Sequence, residues 1–402
     1  MTAKRPRPEP ERVLRTAARF QLGGEPTAAL ELRSGHINDS YVITSRDGRR
    51  GLLQRINERV FANPRRLMEN VERITRHLAE RLGPGNRRRR LTLIPADTGR
   101  PWIEIKSGRG QSASPGSGRG KSASPGSGRK KDGNGADGWW RMYELIEDVT
   151  TQITASSAAQ VFRAAQAFGH FQGMLADLPP PPLFETIPRF HDTVSRFEAL
   201  DRVLAAKAAG AVRGKQAQAE VQAAATHRGL ADRLIKAAAR GLPQRTVHND
   251  CKISNVLFDR QNGEALCVVD LDTAMPGLAA FDFGDMARSM AHRTDEDARD
   301  PEGVEVDLEL FGALASGYLD GARFLTPDER QSLVDGALVL TLEQAVRFLT
   351  DYLEGDVYFR VERPEQNLER CRVQFALLES LLDREADLRR IVAQGENSAA
   401  SV

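Results

Sequence analysis

One segment near residue 250 restricts the possible folds of this chain more than any other. It reads RTVHNDCKISNVLFD and is followed, after a Gln-Asn-Gly turn, by ALCVVDLD. Short apolar runs separated by polar loops and by an Asn-Gly turn predict a strand, a polar loop and then a β-hairpin. The pattern gathers several polar side chains in one loop and places Asp270 at the end of the last strand.

The polar residues of this segment have the types and the spacing that phosphoryl transfer requires. Asn255 follows Asp250 by five positions, and Asp270 follows it by twenty. Protein kinases share the Asp-to-Asn interval in the pattern H-R-D-x-x-x-x-N, and a metal-binding aspartate follows downstream. One carboxylate takes the proton of the acceptor hydroxyl, while an amide oxygen and a second carboxylate hold Mg²⁺ against the phosphates of ATP. The segment therefore predicts a kinase site.

Each of these residues also has a structural explanation when it is taken alone. Asp250 could cap a turn, Asp270 could begin one, and His248 could be a hydrogen-bonded core histidine. For His248 alone the structural explanation is the stronger one. The combination at this spacing favours the chemical interpretation.

The N-terminal part has features expected beside a nucleotide. Residues 34–41, SGHINDSY, lie between predicted strands and could fold over phosphates, which makes Gly35, Asn38 and Ser40 nucleotide-binding candidates. A plain hairpin turn explains this stretch equally well. Arg55, in the predicted strand 51–56, could grip phosphate oxygens or be a surface charge.

A helix with clear boundaries follows these strands. Asn63 can cap it, Pro64 suits its first turn and Gly83 suits its exit. One apolar face is formed by Leu67, Val71, Ile74 and Leu78. Glu69 lies off this face, where it could orient the phosphate-binding cation or belong to a solvated helix surface.

Three further strands are predicted in this part, at residues 91–94, 101–105 and 139–146. The last is followed by a polar link, so adenine could stack beside Ile146, although an ordinary edge strand would look the same. Lys252, between Asp250 and Asn255, is the remaining nucleotide-binding candidate.

The stretch SPGSGRGKSASPGSGRKK contains GRGKS, which looks like the end of a phosphate-binding P-loop. The spacing argues against one, because Pro115 stands where the first glycine belongs and has no amide hydrogen to donate. Residues 107–116 are also nearly repeated at 117–126. This composition predicts a flexible linker at residues 106–138, inserted into a hairpin.

Composition bounds the class of protein. The 402 residues are 40% hydrophobic and 28% charged, as in soluble globular chains. Lys and Arg number 12 against four Asp and Glu in residues 85–138, so the rest is mildly acidic, which argues against nucleic acid as the main ligand. Three widely spaced cysteines suggest neither disulfides nor zinc. No membrane span or signal peptide is evident, so we expect a cytoplasmic protein.

The order of these elements predicts an α+β chain with two lobes. Residues 1–22 form a flexible tail, 23–147 a β-rich nucleotide-binding lobe, 148–392 a mostly helical catalytic lobe and 393–402 a second flexible tail. One helix start within the second lobe is well marked, because Thr326-Pro-Asp-Glu fits a capping box.

The chain resembles the aminoglycoside phosphotransferase superfamily of kinase-like enzymes and, within it, the branch of N-acetylhexosamine 1-kinases. The matching stretches span most of the chain: GHINDSYVI, LLQRIN, VFANPRRLMENV, WWRMYELIEDVT, FGHFQGML, VHNDCKISNVLFD, CVVDLDTAMPGLAAFDFGDMAR and RFLTDYLEGDVYF. The resemblance implies a bilobal protein-kinase-like fold, ATP, Mg²⁺ and a sugar acceptor phosphorylated at its anomeric hydroxyl. By motif position, Asp250 is the catalytic base and Asn255 and Asp270 are the metal ligands.

The resemblance leaves the sugar less defined than the chemistry. Gln366 stands where members of the branch tend to have histidine, and the repeated insertion is foreign to them. Asp272 could assist at the metal site or structure its turn, and the structural role is slightly favoured. Asp282 is interpreted as securing the helix that follows it. The acceptor candidates are Arg347, Asp351 and Tyr352, since residues four apart share a helix face; a surface ion pair of Arg347 with Asp351 explains the first two equally well.

Two other functions compete with the sugar kinase. The chain could phosphorylate another small alcohol, such as an amino alcohol or an aminoglycoside, for which an acidic pocket is expected. It could also be a pseudokinase that binds nucleotide without turnover. The complete set of Asp250, Asn255 and Asp270 argues against the second.

Overall fold

The computed structural model describes residues 7–32, 37–106, 137–206 and 210–399. The chain divides into two compact units, which we call the sheet unit and the helical unit. The sheet unit runs to Pro64 and continues from Leu93 to Leu145, and the helical unit comprises Arg65–Thr92 and the chain from Ile146 onward. Residues 65–92 thus group with the helical unit, whereas the sequence places them within the lobe 23–147.

The sheet unit is one antiparallel sheet in the order β1-β2-β3-β5-β4. Its elements are the helix α1 (Pro10–Ala17) and the strands β1 (Pro26–Leu32), β2 (Asp39–Ser45), β3 (Arg50–Arg55), β4 (Trp102–Ile105) and β5 (Gly138–Glu144). The strand that ends near Ile146 is interior, because β5 lies between β3 and β4. Residues 106–138 therefore connect two paired strands, Ile105 being the partner of Gly138.

Two expectations for this unit need correction. Residues 10–17 form a helix instead of a frayed tail, because Val13 and Ala17 are buried in the core of the sheet unit. Residues 91–94 form no full strand. Leu93 makes an isolated bridge to Tyr143, and Pro95, which cannot donate to a ladder, follows directly.

The helical unit contains five short strands and twelve helices within the described residues. The strands are β6 (Val149–Thr150), β7 (Arg245–Val247), β8 (Val256–Asp259), β9 (Ala265–Val268) and β10 (Met275–Gly277). The helices are α2 (Pro64–Leu82), α3 (Ala158–Met174), α4 (Thr193–Ala205), α5 (Gly210–Gln216), α6 (Gln218–His227), α7 (Arg233–Ala239), α8 (Ala279–Met290), α9 (Leu308–Gly321), α10 (Pro327–Gln331), α11 (Leu333–Glu354), α12 (Gln366–Asp383) and α13 (Glu385–Ala399). The predicted α+β class, with a β-rich first part and a mostly helical second part, is confirmed.

Local signals in this unit have the structural effects that their chemistry predicts. At the start of α10, Thr326 Oγ1 accepts from the backbone N–H of Glu329 at 3.3 Å, and Glu329 Oε2 accepts from that of Thr326 at 2.8 Å, which completes the capping box.

Near the C-terminal end of the described residues, Leu388 and Val392 are buried. They anchor α13, which continues to Ala399 where a flexible tail was expected from residue 393.

Helix α11 is the centre of the helical unit. Most of its 22 residues are buried, including an unbroken run from Gly336 to Glu343. A helix that is apolar on all sides is surrounded by other elements, and α4, α8 and α12 all pack against it. No described helix is both long and apolar enough to cross a membrane.

The hairpin between β4 and β5 allows a test of the repeated insertion. We expect that replacing residues 107–136 by a four-residue turn will leave the melting temperature unchanged or slightly raised. Shortening a loop recovers about 0.6 kcal/mol of closure entropy per halving, and Ile105 and Gly138, which pair with each other, are retained. Differential scanning calorimetry would measure the effect.

The control for this deletion is Trp140→Ala, because Trp140 is fully buried on β5. That variant should lose about 3–5 kcal/mol of unfolding free energy. A loss of similar size in the deletion variant would mean that the insertion packs against the fold.

Candidate active site

The loop between β7 and β8 brings together three of the sequence-predicted residues. Nδ2 of Asn255 donates to the backbone O of Asp250 at 2.8 Å and to its Oδ2 at 2.9 Å. Nζ of Lys252 lies 3.2 Å from the same Oδ2. Both neighbours bind one carboxylate oxygen of Asp250, so its orientation is defined while Oδ1 has no partner among the described residues. The side chain of Asp250 remains 23% exposed, which leaves it reachable.

The charges in this loop favour an ionised Asp250. Burial alone would raise the pKa of Asp250, but the Lys252 ammonium, His248 and the hydrogen bond from Asn255 together hold it below its ordinary value. The pKa of Lys252 is raised, chiefly by Asp250 and further by Asp270. Lys252 is therefore a stable cation close to both carboxylates.

Asp270 follows β9 in a conformation that few residues adopt. Its φ of 62° and ψ of 59° lie in the left-handed region, and it caps a single 3₁₀ turn at Leu271–Thr273. Asn249, beside Asp250, also has a positive φ of 64°. Left-handed backbone is unfavourable for most residues other than glycine, and Asn and Asp tolerate it best; such conformations concentrate at functional sites.

The donor set of this site fits a magnesium ion bound together with phosphates. Because Nδ2 of Asn255 faces Asp250, its side-chain oxygen Oδ1 points away from that carboxylate. The backbone O of Asn255 accepts from Val269 N–H at 2.9 Å, which ties this residue to the chain that leads into Asp270. No described cluster of three or more His, Cys, Asp or Glu could hold a metal ion. Mg²⁺ bound by one or two carboxylates and by substrate phosphates does not need such a cluster.

A buried carboxylate on α8 holds the start of the loop. Asp282 is fully buried; its Oδ2 accepts from the backbone N–H of His248 at 2.8 Å and its Oδ1 from that of Asn249 at 2.7 Å. Gln172 donates to Oδ2 as well, at 2.5 Å. Burial raises the pKa of Asp282, and His248 and these hydrogen bonds offset the effect only in part. Asp282 thus orders the loop that precedes it in the chain, whereas the sequence analysis assigned it to securing the helix that follows it.

The next turn of α8 extends this attachment. Oδ2 of Asp285 accepts from the backbone N–H of Cys251 at 2.6 Å, and its Oδ1 is paired with Arg288 at 2.7 Å. Two aspartates of one helix therefore bind three of the four backbone N–H groups from His248 to Cys251, all but that of Asp250. The FDFGD sequence carries both carboxylates three apart on one helix face, a signal that the sequence analysis did not use for Asp285.

Two glycines place α8 at the required position. A Cβ atom added to Gly284 would lie 2.3 Å from the backbone O of Gly336 on α11, and one added to Gly336 would lie 2.1 Å from that of Ala280. No side chain fits at such distances, so the two helix backbones are in direct contact. This contact determines where α8 presents Asp282 and Asp285 to the loop.

His248 has the structural role that its burial indicates. It is fully buried, and its Nε2 lies 2.9 Å from the backbone O of Val269. The rings of Phe168 and Phe171 meet it edge-on at centroid distances of 5.3 and 5.7 Å. Asp272 is also buried, and its backbone O accepts from Thr186 Oγ1 at 2.9 Å.

In the sheet unit, Arg55 is a buried cation on β3. It is 1% exposed, and its Nε and Nη2 lie 2.7 and 2.6 Å from Oδ2 of Asp39. Asn38 accepts from the backbone N–H of Asn57 at 2.9 Å, which ties the start of β2 to the end of β3. Because Arg55 is buried, its alternative interpretation as a surface charge is wrong.

The remaining nucleotide-binding candidates have these surroundings. Ser40 is buried and its Oγ accepts from Gln54 at 3.1 Å, and Glu69 pairs with Arg65 one turn earlier at 3.1 Å. Ile146 is half-buried directly after β5 and begins the helical unit. Gly35 lies outside the described residues.

Two of the acceptor candidates on α11, Asp351 and Tyr352, form hydrogen bonds within the protein. The carboxylate of Asp351 is buried and accepts from the backbone N–H groups of residues 357–359 at 2.7–2.9 Å and from Asn367 at 2.8 Å. Tyr352 is buried, with its hydroxyl donating to Gln216 at 2.8 Å. Both residues stabilise the fold through these hydrogen bonds, and their assignment as acceptor ligands stays a prediction.

Arg347 lies among aromatic rings instead of pairing with Asp351. Its guanidinium is 5.6 Å from the ring centroid of Phe190, 5.8 Å from that of Tyr358 and 5.4 Å from that of Phe359. Such stacking is a favourable cation–π arrangement. Arg347 therefore remains a candidate for binding the acceptor, because it lies beside Phe190, which lines a cavity.

A cavity of about 220 Å³ borders the loop in the helical unit. Its lining includes Asn249, the neighbour of Asp250, and the strand β10, which pairs with β7. Apolar side chains from α7, α8 and α11 form much of the remaining wall. The sequence analysis did not find this cavity, because its walls come from segments more than 100 residues apart.

The comparisons with known proteins agree with this arrangement. A kinase-like α+β fold is shared with a microcompartment-associated aminopropanol kinase, at a TM-score of 0.56 and 11% identity over 94% of this chain and 98% of that one. An aminoglycoside phosphotransferase from Alicyclobacillus acidocaldarius gives 0.55 and 15% over 98% and 99%. An amicoumacin kinase in complex with AMP-PNP and Ca²⁺ gives 0.53 and 14% over 91% and 92%.

The family is established by a separate match. Residues 131–331, half of the chain, match the family model described as "APH: Phosphotransferase enzyme family". The chain belongs to this phosphotransferase family, whose match includes the whole segment from β7 to β10.

The attachment of the loop to α8 can be tested by removing one carboxylate. Asp282→Ala leaves three buried donors without an acceptor, so we expect it to lose at least about 2 kcal/mol of unfolding free energy and most of its kinase turnover. Urea unfolding and kcat measure the two effects. Asp328→Asn, at an exposed position on α10, is the matched control and should change neither. Wild-type stability in Asp282→Ala would contradict the role assigned to this carboxylate.

Proposed function

We propose that this protein is an ATP- and Mg²⁺-dependent kinase that phosphorylates a hydroxyl of a small molecule, with Asp250 as the catalytic base. The observation that supports the proposal most is the oriented, partly exposed carboxylate of Asp250. Asn255 and Lys252 bind its Oδ2, and its Oδ1 is left for an acceptor hydroxyl. A carboxylate held in this way can accept the proton that the hydroxyl loses as it attacks phosphorus.

The neighbouring residues have complementary tasks in this proposal. Asn255 and Asp270 would hold Mg²⁺, which neutralises charge on the phosphates when it is bound. Lys252, whose pKa is raised by Asp250 and Asp270, would attract a phosphate group. Arg55 would bind phosphate oxygens from the sheet unit, and Asp39 keeps its guanidinium fixed at 2.6–2.7 Å. Gly35, Asn38, Ser40, Glu69 and Ile146 remain proposed contributors to the nucleotide site.

For the acceptor we propose an N-acetylhexosamine or a related hexose, phosphorylated at the anomeric hydroxyl. The resemblance of stretches throughout the chain to N-acetylhexosamine 1-kinases supports this choice. The cavity beside the loop, at about 220 Å³, is below the roughly 300–1,000 Å³ of pockets for drug-sized ligands, so it suits a single sugar ring. Kinases of aminopropanol and amicoumacin share the fold, and an amino alcohol or aminoglycoside is the alternative acceptor.

An acceptor panel tests the reaction. With ATP and Mg²⁺, we expect N-acetylglucosamine or N-acetylgalactosamine to give an anomeric phosphate signal by phosphorus NMR, and ethanolamine and kanamycin to give no product. EDTA should abolish turnover and excess Mg²⁺ should restore it, because the phosphates require a cation. Acceptor-dependent ADP release without an anomeric phosphate would refute phosphorylation at C1. Turnover of ethanolamine or kanamycin alone would refute the sugar assignment.

The role of Asp250 has its own test. Asp250→Asn preserves the shape of the side chain but removes its basicity, so we expect kcat to fall at least about 10²-fold. The dissociation constant of ATP, measured by calorimetry, should change little, which also separates an enzyme from a pseudokinase. Turnover at the wild-type rate in this variant would show that another group takes the proton.

A further inference from the structure

His191 is a buried histidine with only one of its ring nitrogens in a hydrogen bond. Its side chain is 6% exposed, and its Nδ1 lies 2.9 Å from Oε1 of Glu343. Its Nε2 is buried and has no hydrogen-bond partner within the described residues. A buried polar atom without a partner costs about 1–3 kcal/mol, and such an exception needs an explanation. A ligand that supplies the missing partner is one.

Glu343 determines which hydrogen bond this nitrogen can make. The carboxylate is 1% exposed, and its second oxygen accepts from Thr193 Oγ1 at 2.8 Å. Burial alone would raise the pKa of Glu343, but His191, with Arg347 and Arg196 nearby, holds it below its ordinary value. An ionised carboxylate only accepts, so Nδ1 of His191 carries the hydrogen. Nε2 is then the ring nitrogen left for a ligand, as an acceptor in the neutral ring and as a donor in the imidazolium.

The ring of His191 belongs to the wall of the cavity beside the proposed catalytic loop. Because Nδ1 faces Glu343, Nε2 is on the opposite side of the ring. Phe190 and Phe281, whose centroids lie 4.6 and 5.1 Å from that of His191, line the same cavity. Asn249 connects it with the loop, since it lines the cavity and precedes Asp250. The cavity wall thus combines flat apolar surfaces with a histidine that has one ring nitrogen without a partner among the described residues.

The charges around the cavity favour a neutral ligand. Nε of Arg189 lies 2.5 Å from Oδ2 of Asp192, so two of the charged lining residues neutralise each other. Glu185, the other carboxylate of the lining, is exposed, and water screens it. A cationic acceptor would therefore find no buried carboxylate to pair with in this lining.

We propose that this cavity is the acceptor subsite, and that Nε2 of His191 forms a hydrogen bond with a hydroxyl or the amide group of a neutral, single-ring acceptor of the N-acetylhexosamine class. Glu343 is a positioning residue that holds the ring through Nδ1. The inference rests on the proposed function for the reaction that follows, but the binding it describes can be measured without turnover.

Two variants separate ligand binding from a merely structural role. His191→Asn keeps an amide near Nδ1, within reach of Glu343, and removes the group at Nε2. His191→Gln extends an amide towards the position of Nε2 and gives up the bond to Glu343. Ligand binding predicts that the Asn variant weakens binding of N-acetylglucosamine about tenfold while the Gln variant retains most of it. A structural role predicts that only the Gln variant is impaired, through a lower melting temperature.

Calorimetric titration with N-acetylglucosamine, N-acetylgalactosamine and ethanolamine gives the readout for wild type and both variants. Unchanged sugar affinity in His191→Asn, tighter binding of ethanolamine than of the sugars by wild type, or no sugar binding by wild type would each overturn the subsite. If the variants do not fold, nitrogen NMR of the wild-type protein labelled in its histidine rings replaces them. N-acetylglucosamine should shift the Nε2 signal of His191, and an unchanged signal at a saturating sugar concentration would overturn the subsite as well.

The same measurements keep the two proposals apart. Sugar binding that depends on His191 but leads to no phosphate transfer would refute the proposed function and support the subsite. Sugar phosphorylation with an acceptor KM that His191→Asn leaves unchanged would support the function and overturn the subsite.

Discussion

The proposed catalytic loop depends on a carboxylate that is not itself proposed to react. Asp282 lies inside the protein and accepts the backbone N–H groups of His248 and Asn249, which would otherwise be buried donors without partners. Each unpaired donor would cost about 1–3 kcal/mol, so the chain is constrained to pass the helix α8 at this point. The constraint offsets the unfavourable left-handed backbone of Asn249 and sets where Asp250 begins. The protein thus uses one buried carboxyl group to hold a short irregular segment in place.

The sequence was most informative where chemistry depends on local spacing. The interval from Asp250 to Asn255 predicted two side chains in one loop, and they are 2.9 Å apart. The capping box at Thr326 and Glu329 and the hairpin of β8 and β9 follow from equally local rules, and all are present. These features need only a few consecutive residues, so a pattern in the chain is enough to specify them.

The features that the sequence did not reveal depend on contacts between distant segments. Asp351 and Arg347 are four apart on α11 and were interpreted together, yet Asp351 binds the loop after its helix while Arg347 stacks on rings. Spacing alone cannot tell which neighbours surround each residue. The same limit explains why α1 was interpreted as a tail, since the burial of Val13 and Ala17 depends on a sheet formed later in the chain. His191 and Glu343, 152 positions apart, could be paired only in the folded structure.

The direct backbone contact between α8 and α11 has a mechanical consequence. Where Gly284 meets Gly336 no side chain separates these two helices, so a small displacement at this point cannot be absorbed by a change of rotamer. Seven residues beyond Gly336 on α11 stands Glu343, about 10 Å further along the axis, where it bonds to His191. Helix α11 therefore positions both the helix that holds the loop and the imidazole in the cavity wall. Substitutions that bend or shift α11 would displace α8 and the His191 ring together, although α11 itself carries no residue proposed to react.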